Sequence, residues 1–232
     1  MPLYPVPASS VTALAHSHAE VTAAARRLWR EWLARPAKLV THDPRIAAAW
    51  RAALVTLIQC HEHDTGDWVS IGNPFQYRDV WLRDGSRVVR ALAVAGLTEL
   101  ALADAWSLTR FELPSGALMS QHGQLDGTGE GLWAFEQACT LPPDRAAAQR
   151  FLPHAVRALG WIEHQRRATQ ELGLTWPGLL PYADPHDGEL VRAQLVGSDA
   201  WSYAGCRAAT ALARIAGDRS LEQRALAAAA ES

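Results

Sequence analysis

From His18 onward, apolar residues return every three or four positions through eight successive stretches, and no segment competes as a strand with alternating apolar and polar residues. The stretch HAEVTAAARRLWREWLA sets Val21, Ala25, Leu28, Trp29, Trp32 and Leu33 on one stripe, with Arg26, Arg27 and Arg30 largely outside it. The next opens with Asp43 as an N-cap and Pro44 at the first helical position, and its apolar face is Ile46, Trp50, Leu54, Leu57 and Ile58. A third runs through Val88, Val89, Leu92 and Ala95 to a stop near Gly96, and a fourth runs from Thr98 to about Arg110. The fifth carries Leu132, Trp133, Phe135 and Ala138. The sixth is expected to start at Pro142-Pro143, shift at Pro153 and reach about Leu172. The seventh is expected from about Ser198, with Asp199 as part of its cap, to Ala216 and a Gly217 C-cap. The eighth follows from Asp218 or Ser220.

Short turns alternate with two long loops, ELPSGALMSQHGQLDGTGEG and GLTWPGLLPYADPHDGELVRAQLVG, which concentrate Gly, Pro, Trp and acidic residues. Stacked helical hairpins would bring such loops together at one end. The expected fold is therefore all-α, a toroid or partial toroid of helical hairpins with a cleft at its rim, and a four-hairpin solenoid is the alternative. Residues 1–17 are expected to be an extended segment and residues 18–232 a single domain.

The net charge of −2 gives no reason to expect nucleic acid or an anionic membrane as a partner. No apolar run is long enough for a transmembrane helix, and MPLYPVPASS lacks the basic and apolar regions of a secretory signal. Cys60, Cys139 and Cys206 are too far apart for a metal knuckle and too few for a disulfide framework, which fits a cytoplasmic protein. The unusual entry in the composition is tryptophan, ten residues against four Phe and four Tyr. Indole faces bury large areas in cores and also receive the C–H faces of sugar rings.

The stretch FQYRDVWLRDGSRVVRAL places Arg78-Asp79 and Arg83-Asp84 around Trp81 at the mouth of the third helix. Two readings follow from the residues alone. One is a charged network at the helix start. The other is a pocket wall, in which a carboxylate accepts from vicinal hydroxyls and a guanidinium fork donates to them.

YRDVWLRDGSRVVRALAVAG resembles the Trp-x-Arg-Asp segment of the six-hairpin, (α/α)6-barrel glycosidases, the clan of the glucoamylase family. GQLDGTGEGLWAF resembles the Gln-Leu-Asp-x-x-Gly-Glu stretch of bacterial glucoamylase-like enzymes. GLLPYADPHDGE followed by SDAWSYAGCRAATALARIAGD is similar to the loop and inner helix that follow there. The resemblance implies an incomplete six-hairpin barrel of about eight helices, truncated at its C-terminus. It implies that Arg83 and Asp84 hold the sugar on the non-reducing side of the cleavage point, that Trp81 stacks on it, and that Tyr77 and Arg78 stand in the same wall. Gln124 and Asp126 fall where the family's loop re-enters the barrel, and Asp126 either contacts substrate or caps the fifth helix. Glu130 is expected in the first turn of that helix, where the dipole favours a carboxylate, and Trp133 in the core.

In such enzymes a carboxylic acid protonates the leaving oxygen and, in inverting members, a second carboxylate about 6.5–9.5 Å away activates water. The resemblance puts the acid in the loop before the seventh helix, with Glu189 preferred, then Asp187, then Asp199, and with Asp184 in the same loop. The family's Trp-Glu pair is absent here, and the partner base is expected to be missing from this chain. The expected function is acid-assisted, inverting hydrolysis of an α-glucoside or related oligosaccharide, with no metal or organic cofactor. An open barrel edge is expected to invite self-association or a complementary chain. The alternative is a non-catalytic helical-hairpin protein that binds carbohydrate or another chain. A prenyl cyclase on a similar toroid is disfavoured, because no Asp-rich diphosphate motif is present. His61, His63 and Asp64 in HEHD lack zinc-helix spacing and are expected at a solvated helix end.

Overall fold

A computed structural model describes residues 18–231 except 63–67, 74, 75, 77 and 185–191, and each apolar stretch becomes an α-helix within those bounds. The order is α1 (His18–Ala34), α2 (Pro44–Gln59), β1 (His61–Glu62), β2 (Val69–Ser70), α3 (Leu82–Val94), α4 (Thr98–Ser107), α5 (Gly127–Thr140), α6 (Arg145–Glu171), α7 (Val196–Ala216) and α8 (Arg219–Ala230). A short 3-10 turn, Leu108–Phe111, extends α4. The all-α class is thus established, and the described residues add one two-stranded ladder that the sequence pattern does not announce. No described helix is long and apolar enough to cross a membrane.

The chain divides into two units, Met1–Arg51 and Ala52–Ser232, a boundary inside the span expected as one domain. In the first, α1 buries none of its residues, and Val21 and Leu28 are exposed. The expected extended segment 1–17 lies outside the described residues. Asp43 caps α2 as expected, its Oδ1 accepting from the Arg45 N–H at 2.8 Å. The Arg45 guanidinium bonded to it holds the Asp43 carboxyl below its ordinary value.

In the second unit, short local signals set the starts of α6 and α8 and the end of α7. Asp144 accepts from the Ala147 N–H at 2.9 Å and Asp218 from the Leu221 N–H at 3.0 Å. Gly217, at φ 84°, ends α7 in the left-handed region that a side chain would resist. Two expected starts move. The sixth helix begins after Asp144, because a carboxylate cap satisfies its first N–H groups where Pro142-Pro143 cannot. The seventh begins at Val196, which leaves Asp199 inside the first turn rather than at the cap.

Helix α5 lies against α3, α4, α6 and α7, while α7 lies against α5, α6 and α8. From α3 onward, consecutive odd-numbered helices therefore neighbour one another, and α4, α6 and α8 pack against them. Phe135 of α5 stacks on Phe151 of α6 with centroids 4.7 Å apart, in one cluster with fully buried Leu118, Leu132, Leu159 and Leu212. Buried Arg166 ties three helices, donating from Nη1 to the Ala228 carbonyl and from Nη2 to Ser202 Oγ, both at 2.8 Å. Arg166→Ala removes both bonds and leaves a void, so urea unfolding should show a loss of about 2–4 kcal/mol.

His61 departs from its expected solvated helix end. After Gln59 the chain turns into β1, His61 pairs opposite Ser70, and its imidazole is completely buried. Nδ1 lies 2.6 Å from the Leu57 carbonyl, an acceptor only, so the ring donates from Nδ1. Nε2 lies 3.7 Å from Asp104 Oδ2, and Asp104 Oδ1 accepts from the Ser70 N–H at 2.9 Å. The ladder and α4 supply a polar lining that covers the ring. His63 and Asp64 lie outside the described residues.

Candidate functional site

The starts of α3, α5 and α7 surround one cavity of about 280 Å³. Its described wall comprises Arg83, residues 123–126, Ala183 and residues 195–198. Local bonds explain the convergence. The Leu82 N–H donates to Ser120 Oγ at 3.1 Å, which ties the start of α3 to the loop before α5. The Leu118 N–H donates to Thr128 Oγ1 at 3.1 Å, which fastens that loop to α5 itself. Opposite, Asp199 Oδ1 accepts from the Leu180 N–H at 2.8 Å, and the Gln194 amide bonds both Trp176 and Leu180, so the two ends of the second long loop are joined to α7.

Arg83 is the hub of the cavity's charges. Its Nη2 lies 3.4 Å from Asp126 Oδ2 and its Nε 3.9 Å from Glu130 Oε1. Asp126 occupies the N-cap position of α5 with helical φ −63° and ψ −29°, and its side chain makes no cap bond. Of the two roles left open for it, capping is thereby excluded, and its carboxylate turns to Arg83. Gln124 is buried beside it in the same wall.

Glu130 falls in the first turn of α5 as expected, but it is buried there. Its residue is 1 % exposed and its Oε1 has no hydrogen-bond partner. Burial, then the Asp126 charge, pushes its carboxyl up to about 8 against the opposing pull of Arg83 and Arg87. It therefore holds its proton at neutral pH. Gly129 and Gly131 are the cause: they admit the Trp201 backbone and the Leu118 side chain so closely that the residue between them is sealed. A glutamate between two helix glycines is the sequence signal of this burial.

Asp199 is half-buried, and burial raises its carboxyl above the ordinary value despite the Leu180 bond and the Arg166 charge. Its Oδ2 has no hydrogen-bond partner. It lies next to Ser198, which lines the cavity.

The structure gathers only part of the expected set. Arg83, Gln124 and Asp126 share the cavity, while the described wall includes neither Asp84, which is exposed on the first turn of α3, nor Trp81, the half-buried N-cap residue of α3. Arg78 pairs with Glu62, at the β1 side of the unit. Asp184 is exposed at the loop's edge. Tyr77, Asp187 and Glu189 lie outside the described residues. The described wall also carries no aromatic ring. The rings gather further along α5 and α7. Trp133 meets Trp201 edge-on at 5.7 Å, the Arg87 guanidinium lies 5.5 Å over Trp201, and Trp133 lines an open groove with Glu136, Tyr203 and Arg207. Trp133 is thus half-exposed in a groove rather than sealed in the core. Among the described residues, no group of three His, Cys, Asp or Glu is placed to hold a metal ion.

No protein-family model matches the chain, and neither a curated protein nor a solved structure matches it. The resemblance to the glucoamylase clan therefore rests on its three motifs alone.

Proposed function

We propose that this chain is a glucoamylase-like glycoside hydrolase domain of helical hairpins, one that holds the terminal sugar of an α-glucoside or related oligosaccharide in the Arg83–Gln124–Asp126 cavity. The observation that carries the reading is the convergence, in one small cavity, of a guanidinium fork, a carboxylate and an amide. Together they offer donors and acceptors at fixed angles, the complement of a ring of hydroxyls. The cavity is close to the lower bound, about 300 Å³, of ligand sites, which suits one polar ring rather than a long apolar ligand. Pairing of α3 with α4, α5 with α6 and α7 with α8, with α5 against both α3 and α7, supports three consecutive hairpins of a toroid. Free cysteines support a reducing, cytoplasmic setting.

For cleavage, the acid must keep its proton at working pH. Glu189 and Asp187 remain the preferred donors from the resemblance. Asp199 gains support, since its raised carboxyl and unpartnered Oδ2 sit beside the cavity. Inverting hydrolysis further requires a base opposite, assigned to no described residue. One observation favours the second reading, a carbohydrate binder without catalysis: the carboxylate in the described wall, Asp126, is committed to Arg83.

Calorimetric titration with mono- and oligosaccharides, beside hydrolysis of aryl α- and β-glycosides, tests both readings. Asp126→Asn and Arg83→Gln should each weaken sugar binding about 10- to 100-fold, the worth of a charge-assisted hydrogen bond. Binding without turnover would select the binder. Equal affinity in both variants would remove the cavity from either reading.

A further inference from the structure

We propose that Glu130 is a positioning residue for Arg83: the buried carboxyl shares the guanidinium with Asp126, and its ionisation decides whether Arg83 stays at the cavity wall or is drawn into α5. The geometry is that of a cation between two acids. Asp126 and Glu130 stand four residues apart, one turn of α5, so both address the same side of the helix. Arg83 reaches across from α3 to both, at 3.4 Å to Asp126 and 3.9 Å to Glu130. Nη2 donates a long hydrogen bond to Asp126, whereas the Glu130 oxygen lies beyond hydrogen-bond reach of Nε, so the guanidinium favours Asp126 with the second acid close by.

The balance between them is set by charge. Glu130 faces Arg83, Arg87 and Asp84 from α3 and Asp126 from the start of its own helix. On the other helices packed against α5, Asp104 of α4 is bonded to Ser70, His154 of α6 to Glu112 and Asp199 of α7 to Leu180. Below pH of about 8 Glu130 is neutral, Asp126 is the stronger partner, and Arg83 points its fork to the cavity. As pH rises through that value, a second carboxylate forms with almost no solvent contact. A buried anion has more to gain from the guanidinium than the partly hydrated Asp126, so Arg83 shifts inward. The cavity then loses its donor fork and keeps a bare carboxylate.

The test follows Arg83 itself and does not need a ligand. In the full chain labelled with nitrogen-15, the Arg83 Nε–H resonance, assigned by its loss in Arg83→Lys, is recorded from pH 6 to 9.5. The expected result is a shift with a midpoint near pH 8, absent in Glu130→Gln. A second variant covers the case in which Glu130→Gln does not fold. Asp126→Asn removes a charge that raises Glu130 and should move the midpoint to lower pH. A wild-type resonance that stays constant through this range overturns the proposal, as does an unchanged titration in Glu130→Gln or an unmoved midpoint in Asp126→Asn. The functional arm rests on the sugar-site reading. Affinity for methyl α-glucoside should fall about tenfold between pH 7 and pH 9 in wild type and stay level in Glu130→Gln. If methyl α-glucoside binds at neither pH, the sugar reading fails, while the resonance still decides the role of Glu130.

Discussion

Gly129→Ala should destabilise the protein by about 3 kcal/mol or more, although the same change on an open helix face would gain about 1 kcal/mol in propensity. A Cβ at Gly129 would lie 2.0 Å from the Trp201 carbonyl oxygen and 2.4 Å from its carbon, both backbone atoms of α7. Neither atom can swing aside as a side-chain tip would, so the two helices must separate. Gly205 answers from the other side, where a Cβ would meet the Gly129 Cα at 2.7 Å. Against a total stability of about 5–15 kcal/mol, a loss of this size is read easily in urea unfolding. Gly197→Ala, with nothing within 4 Å of the added carbon, is the control and should be neutral or slightly stabilising. If both variants unfold at the same denaturant concentration, α5 and α7 are not in backbone contact.

Glu130→Gln should stabilise the folded chain at pH 8 and do little at pH 5. In the unfolded chain the carboxyl releases its proton near the ordinary 4.5, whereas in the fold it holds it to about 8. Between those values the folded state binds the extra proton, so stability falls as pH rises, by about 1.4 kcal/mol per unit. Below the lower value both states are protonated and the penalty vanishes; above the upper one it is complete. Glutamine keeps the shape without the titration. The gap between variant and wild type should therefore widen by about 3 kcal/mol from pH 5 to pH 8, measured as the difference of unfolding free energies. A constant gap means that Glu130 ionises in the fold as it does in the open chain.

These two residues also mark where the sequence stopped being readable. Caps at Asp43 and Asp218 and the glycine stop at 217 are decided within four residues, and local chemistry sufficed to place them. At Asp199 the same logic failed, because a distant amide at Leu180 claimed the carboxylate that would have capped α7. His61 failed for a related reason: its cover comes from Ser70 across the ladder and from Asp104 on α4. The cavity was half legible. The motifs pointed to Arg83, Gln124 and Asp126, but alternation of charged neighbours does not reveal which member of a dipeptide turns inward. At the second Arg-Asp pair the arginine does, and Asp84 remains outside. Glu130 was concealed because its burial depends on how near α7 comes, a property of Gly129 and Gly205 together.

Everything functional descends from the claim that the Arg83–Asp126 pair opens onto a cavity that receives a sugar. Proton–nitrogen spectra of the labelled full chain, titrated with methyl α-glucoside and with maltose at pH 7, address that claim most directly. The Arg83 Nε–H and Gln124 side-chain amide resonances should move first and saturate together, and Asp126→Asn should raise the sugar concentration needed about 10- to 100-fold. Resonances that stay fixed at those two side chains under saturating sugar, or that saturate at the same concentration in Asp126→Asn, would contradict it.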